Sequence, residues 1–176
     1  MRGLRIFCIL LAFVFLVFTS VFDVKRVNGH SMQVAFRDRQ WLLICRVHYG
    51  VRLSGASEYL VRWRKVRQGD VVFFKMNGRY VIKRCYANDG MSVQFYQKKE
   101  DGKLLYFMKV CDTDFSMKRE AYERLFIDAM KEEEGVQQIP KDTLLLLGDN
   151  QDDSFDSRDY GYVSECSILG KVLTWK

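Results

Sequence analysis

The feature that most limits the architecture of this chain is Ile6–Phe22, a 17-residue stretch without a charged side chain, preceded by Arg2 and Arg5. As an α-helix it rises roughly 25 Å at about 1.5 Å per residue, near the shortest length that crosses a bilayer. Arg5 can extend the usable span by snorkelling to the interface. A cleaved secretory leader shares the basic start and apolar centre, but it also needs small residues just before the cut. Val17-Phe18-Thr19-Ser20-Val21-Phe22 offers bulky ones there, so a retained anchor is expected. A first span with a short basic leader places its N-terminus in the cytoplasm and sends the rest across. Lys25 and Arg26 beyond the span make that charge bias equivocal. The expected organisation is a cytoplasmic leader and anchor over residues 1–22 and one domain over 23–176.

Composition narrows what that domain does. Lys and Arg number 28 against 22 Asp and Glu, and Arg2 and Arg5 account for two of the six surplus charges. The remaining surplus suits a place beside anionic lipid and is too small to argue for nucleic acid. Cys8, Cys45, Cys85, Cys111 and Cys166 include no C-x-x-C pair, so neither a zinc site nor another metal or cofactor is expected. The odd count leaves a free thiol unless one pairs between chains. A single proline and a 48% hydrophobic content exclude disorder.

After the anchor, short apolar and β-branched runs recur between turn signals. Trp41–Val47, Asp70–Lys75, Tyr80–Tyr86, Met91–Tyr96, Leu104–Val110, Thr143–Leu147 and Ile168–Trp175 are strand candidates. Asn77-Gly78 is a two-residue hairpin signal because both residues tolerate positive φ. Asp101-Gly102 punctuates another pair. Met117, Ala121, Leu125 and Ala129, with Tyr122, Phe126 and Met130 beside them, form an apolar stripe at helical spacing. Ser116–Glu134 is therefore read as one amphipathic helix inserted in a mainly β, antiparallel domain.

Three segments carry candidate chemistry. Gly29-His30-Ser31-Met32 follows the span; by itself it reads as a turn into the first strand. In Tyr80-Val81-Ile82-Lys83-Arg84 a lysine interrupts a run fit for burial, although an isolated strand lysine usually faces water at an edge. Leu147 to Gly161 is dense in turn formers and carries Asp149, Asp152, Asp153 and Asp156. It lacks the bidentate glutamate and the ligand spacing of a calcium loop.

In this order the segments resemble the bacterial type I signal peptidases, membrane-anchored Ser/Lys endopeptidases that remove signal peptides from exported proteins. The resemblance runs from the span through Gly29 to Met32, then Gly69-Asp70-Val71-Val72 and Val81-Ile82-Lys83-Arg84. It continues in Gly148-Asp149-Asn150…Ser154-Phe155-Asp156-Ser157-Arg158…Gly161-Tyr162-Val163 and closes with Ile168-Leu169-Gly170-Lys171. The Gly148–Gly161 box is the most specific. Departures are confined to loops. Val34 and Ala35 stand where the family has proline and threonine, Arg39-Gln40 replaces Gly-Asp, and Asp89-Gly90-Met91 replaces Pro-Gly-Asp. Gly29 stands where some members carry a serine that contributes to the oxyanion hole.

The resemblance implies a transmembrane helix followed by an antiparallel β-sheet catalytic domain of the signal-peptidase type. It implies Ser31 as nucleophile, Lys83 as its base and Ser154 as the residue orienting the lysine amine. Asp149 with Arg84 and Asp156 with Arg158 become supporting pairs. A serine hydroxyl needs such a base, and lysine can serve only when neutral, which burial among apolar neighbours promotes. Substrate would add as an extended strand between Lys25–Asn28 and Tyr80–Ile82, with Val27 and Ile82 lining a small pocket and Gly29 beside it. His30 is not expected to be the base, because neighbours on an extended chain point to opposite faces; His48 falls before a turn. The implied partners are signal-peptide-bearing preproteins and membrane lipid, with the chain a monomer in the cytoplasmic membrane. A peptidase dedicated to one substrate, such as a conjugative pilin precursor, and a non-catalytic tethered binding module are the competing readings.

Overall fold

The computed structural model describes residues 2–53, 58–129 and 135–173. Helix α1 (Arg2–Val21) comes first. Its Thr19 and Ser20 hydroxyls donate back to the Leu16 carbonyl at 3.0 and 2.8 Å, so these polar groups are satisfied inside the apolar stretch. Gly3–Val21 is the one helix among the described residues long and apolar enough to cross a membrane. The helix passes without a linker into β1 (Phe22–Arg26), so Phe22 belongs to the strand and not to the helix. The Arg46 N–H donates to the Val21 carbonyl at 2.8 Å and ties the end of the helix to the neighbouring strand.

Strands β2 (Trp41–Cys45), β3 (Gly50–Val51), β4 (Val61–Arg62), β5 (Val71–Met76) and β6 (Arg79–Asn88) follow. Next are β7 (Ser92–Glu100), β8 (Lys103–Val110), β9 (Thr113–Met117) and α2 (Arg119–Ala129). The chain closes with β10 (Val136–Gln138), β11 (Thr143–Leu147), the one-turn α3 (Ser157–Tyr160), β12 (Val163–Ser164) and β13 (Ile168–Leu173). A seven-stranded sheet runs β1-β2-β13-β5-β6-β11-β12, a four-stranded one β10-β7-β8-β9, and β3 pairs with β4. The architecture is mainly β and antiparallel with an N-terminal apolar helix, as expected.

Burial explains the sequence pattern. Residues 71–74 of β5 and 144–147 of β11 are unbroken apolar runs because both of their faces are covered there, which removes the need for alternation. Leu144 and Leu146 enter one core with Val72, Phe74 and Ile168, while Leu145 and Leu147 enter another with Phe95, Met108 and Phe115. Val71 and Phe73 point to a third, with Val27, Met32 and Phe36. That third core underlies the loop carrying Ser31. Asn77 and Gly78 (φ 48° and 78°) close the Met76–Arg79 pair, and Asp101 and Gly102 (φ 48° and 77°) close Glu100–Lys103. Both are the two-residue hairpins that the sequence signals.

The inserted helix is shorter than expected. Ser116 and Met117 pair with Phe107 and Tyr106 as the end of β9, and the helix starts at Arg119. Pairing with a long neighbour outweighs the helical spacing of Met117 with Ala121. Ala121, Tyr122 and Leu125 are buried, so that part of the stripe is core packing. Residues 130–134 lie outside the described residues.

Candidate active site

Lys83 sits opposite Val72 in the β5–β6 register and, by the two-residue period of a strand, shares a face with Val81 and Cys85. It is 2% exposed, and its Nζ donates to Ser154 Oγ at 2.8 Å. Burial pulls its pKa down to about 8. The Asp156 carboxylate opposes that shift and the Arg158 guanidinium adds to it. The isolated-edge reading of this lysine is excluded; it faces inward.

One β6 neighbour stops short of it. The β11 ladder ends at the Leu147–Arg84 pair, so Arg79–Lys83 is paired with β5 alone among the described residues. The other backbone edge of that segment borders a cleft.

Ser31 comes from the connection between β1 and β2. Residues 31–35 form a turn, as Gly29-His30-Ser31-Met32 reads by itself, with the Ala35 and Phe36 N–H groups donating to the Met32 carbonyl at 3.0 and 2.8 Å; the extended-chain ground for setting His30 aside is corrected. Met32 and Phe36 are buried in the core beneath and anchor the turn. From the opposite side Asn150 clamps it, its N–H donating to the Ser31 carbonyl at 3.0 Å and its Nδ2 to the His30 carbonyl at 3.2 Å. The Ser31 hydroxyl and N–H have no hydrogen-bond partner among the described residues.

The loop after β11 is organised by Asp156, which is fully buried. Its carboxylate accepts from Ser154 Oγ at 2.6 Å, the Gly148 N–H at 3.0 Å, and the Arg158 N–H and Nε at 3.1 and 3.0 Å. Burial raises its pKa, and these donors outweigh burial to hold it below the usual carboxylate range. Arg158 also donates to the Gln151 carbonyl at 2.9 Å and the Ser116 carbonyl at 3.3 Å. Arg84 grips Asp149 through two bonds of 2.8 and 2.7 Å. Both ion pairs implied by the resemblance are present.

These elements enclose a cleft of about 600 Å3 lined by Ser31 and Lys83 together with Val27, Gly29 and Ile82. Lys25, Asn28 and Tyr80 continue its walls, and Met32, Phe36 and Phe73 its apolar lining. Of the other residues singled out from the sequence, Asp149, Ser154, Asp156 and Arg158 stand in the loop beside the cleft, and Arg84 on β6 reaches that loop through Asp149. No hydrogen bond joins Ser31 to Lys83 in this structure; the lysine is engaged with Ser154. His30 also reaches the cleft, whereas His48 is at the β3 end, 3.2 Å from an Arg64 nitrogen. Burial lowers the His48 pKa.

Sequence reasoning missed three supports. A bulge between Leu145 and Leu146 frees the Leu146 N–H, which donates to Ser157 Oγ at 2.9 Å. Asn150 is the clamp on Ser31. Gly148 is the third: a Cβ there would overlap Ser154 Oγ and stand 2.6 Å from the Ser31 carbonyl oxygen. All three lie in the box that drew attention, but only the fold shows what each touches.

A family model described as signal peptidase, peptidase S26, matches residues 1–175. The chain belongs to that family. It is 24% identical over 157 residues to signal peptidase I V of Bacillus subtilis (strain 168), covering 87% of this chain and 84% of that one. Against signal peptidase I of Haemophilus influenzae the identity is 23%, covering 92% of this chain and 65% of the other. A solved signal peptidase I from Enterococcus faecalis V583 superposes with a TM-score of 0.39 at 24% identity, over 63% of this chain and 98% of that one. That superposition is too loose to support an argument. This member of the family is a serine peptidase, a hydrolase.

In this peptidase the close approach of the Gly148 loop to Ser31 leaves no room for a side chain. Gly148→Ala is expected to push Ser154 and the Ser31 turn apart and to lower the rate of peptide cleavage by about a hundredfold. Steady-state kinetics on the full chain in detergent measure it; a rate within twofold of the parent would show that the approach has slack.

Proposed function

We propose that this protein is a membrane-anchored signal peptidase in which Ser31 is the nucleophile and Lys83 its general base. The observation that carries the reading is a buried lysine, bonded to Ser154, in the same cleft as an unengaged serine hydroxyl. Asp156 is an acceptor, so the single Ser154 hydroxyl proton goes to it, and Ser154 can only accept from Lys83. A neutral Lys83 thus spends one N–H on Ser154 and keeps its lone pair for the Ser31 proton. Ser31 Oγ attacks the substrate carbonyl as Lys83 takes that proton. Collapse of the tetrahedral intermediate expels the new amine, which recovers the proton from the Lys83 ammonium, and leaves an ester on Ser31. Water then attacks the ester with Lys83 again as base; the second tetrahedral intermediate breaks its bond to Ser31 Oγ, which recovers the proton from the Lys83 ammonium as the new carboxyl terminus leaves. The unpartnered Ser31 N–H is the oxyanion donor in this reading.

The pKa decides the pH range. At pH 7 a lysine titrating near 8 is neutral about one time in ten, against about one in three thousand for an unperturbed one. Because the base acts deprotonated, activity rises with pH and levels off above about 8. Ser31→Ala and Lys83→Ala are each expected to lower turnover by about three orders of magnitude or more while the folded protein is retained. Cleavage of a preprotein across pH 6 to 10 checks both; an active Lys83→Ala enzyme, or a flat profile, would contradict the assignment.

The substrates in this reading are preproteins that present an extended segment beside an apolar helix. That segment adds to the free edge of Arg79–Lys83 and faces Lys25–Asn28, so alternate side chains enter the cleft. Val27 and Ile82, with Met32 and Phe36 behind them, leave space for a methyl group at the residue before the cut and two before that. Alanine is expected to be required at −1 and small residues preferred at −3, with Ile82→Ala admitting larger ones. A peptide series varied only at those positions measures this, and efficient cutting after leucine by the parent enzyme would count against the pocket.

In this proposal residues 1–21 form the cytoplasmic leader and single membrane span, and the catalytic domain outside the cytoplasm begins at Phe22, one residue before the boundary expected from the sequence. The basic Arg2 and Arg5 before an uncovered apolar helix support that orientation. Protease added to spheroplasts is expected to digest the domain; full protection would reverse the topology.

A further inference from the structure

The connection between β1 and β2 carries Ser31, yet it lacks the proline and the Gly-Asp pair that the family pattern has there. Its two ends are zipped by backbone bonds. The Val27 N–H donates to the Gln40 carbonyl at 2.9 Å and the Arg39 N–H to the Val27 carbonyl at 3.1 Å. Arg26 Nε adds a bond to the Arg39 carbonyl at 3.0 Å. The turn itself is held by the Met32 carbonyl, and its departure by Gln40, whose Oε1 accepts the Arg37 N–H at 2.9 Å.

Between the zipped end and the turn is a joint, Asn28–Gly29. Gly29 has φ of 106°, in the left-handed region, and a Cβ there would meet nothing within 4 Å. Packing therefore does not restrain it, and glycine has the widest backbone freedom of any residue. A rotation at this joint swings the turn and carries Ser31, two residues on, with it. Asn150 and the buried Met32 and Phe36 hold the far side of the turn; at the joint itself the restraint is the Gly29 N–H, which donates to Asp38 Oδ1 at 3.1 Å. The same bond holds the Asp38 carboxyl below the usual carboxylate range, so it stays ionised wherever Lys83 is a competent base. Arg39 Nε lies 3.6 Å from its other oxygen.

We propose that Asp38 is a positioning residue for the nucleophile, its carboxylate clipping the Gly29 N–H and thereby fixing the angle at which Ser31 enters the cleft. The inference rests on the reading of Ser31 as nucleophile. It also removes the Gly29 N–H from the candidate oxyanion donors, because that hydrogen is committed to Asp38. Asp38 is not itself among the residues lining the cleft and touches it only through the Gly29 N–H, so its loss acts on the serine's placement and leaves the titration of the base and the substrate-facing side chains alone. Displacing a reacting atom by an ångström costs up to about a hundredfold; water can replace part of this exposed clip, which sets the expected loss at about tenfold.

The test uses the full chain in detergent with a peptide carrying alanine at −1 and −3, and compares the parent with Ser31→Ala, Asp38→Ala and Asp38→Asn. Asp38→Ala is expected to lower kcat about tenfold with KM within about twofold, and to leave the pH limb near 8 unmoved. Asp38→Asn keeps an acceptor oxygen and is expected to recover most of the rate. A parental kcat in Asp38→Ala overturns the proposal. So does a shifted pH limb, a rise in KM that accounts for the loss, or Asp38→Asn as slow as Asp38→Ala. If Ser31→Ala itself cleaves normally, the nucleophile assignment fails; if it is dead while Asp38→Ala runs at the parental rate, only the role of Asp38 is lost.

Discussion

The arrangement of this site depends on one buried carboxylate. An ionised Asp156 without access to water is stable only if its oxygens are fully bonded, since an unpaired buried charge costs several kcal/mol. The fold supplies donors from three directions: the Gly148 N–H, the Ser154 hydroxyl and the Arg158 side chain. Each donor is a constraint. Gly148 is held against the Ser31 turn, Ser154 is held with its oxygen toward Lys83, and Arg158 reaches on to Gln151 and Ser116. Asp156 also caps α3 in a reciprocal box with Asp159. Satisfying this charge therefore draws the end of β11, the following loop and the serine-bearing turn to one place.

Lys83 illustrates how opposing effects are resolved there. Desolvation disfavours its ammonium form, and the nearby Asp156 carboxylate favours it. Asp156 acts on the lysine through Ser154 and shares its charge with Arg158, so its pull is blunted and burial prevails. The displacement from 10.5 to about 8 corresponds to about 3 kcal/mol against the charged form. Lys65, exposed and bonded directly to Asp89, is pushed the other way. Placing a serine between the two charges lets a buried acid orient the proposed base without protonating it.

How far the sequence shows this varies by element. Strands β5, β6 and β11 are legible because dense apolar runs at sheet-core positions have few other uses. Strand β1 is not, since Phe22–Arg26 carries charges at an edge and follows the span without punctuation. Met117 misleads because its helical spacing with Ala121 is real, yet a partner strand claims it. The aspect of the site that no period reveals is its assembly. Lys83 and Ser154 are 71 residues apart, and only the resemblance to signal peptidases links them before the fold is known. Asn150 and Ser157 stay silent in the sequence because their roles are bonds to backbone groups distant in the chain, and Gly148 because the close approach that demands a glycine exists only in the fold. The turn at Ser31 is legible in Gly29-His30-Ser31-Met32, but its anchoring is not, since that depends on Met32 and Phe36 finding a core beneath them.

The account stands or falls on whether the fold keeps Lys83 poised to lose its proton. The direct measurement is an NMR titration of the lysine Nζ resonances in the full chain in detergent, with the Lys83 signal assigned by its disappearance in Lys83→Arg. The account gives a midpoint near 8 for that one resonance. A Lys83 that titrates with the ordinary lysines, near 10.4, would contradict it.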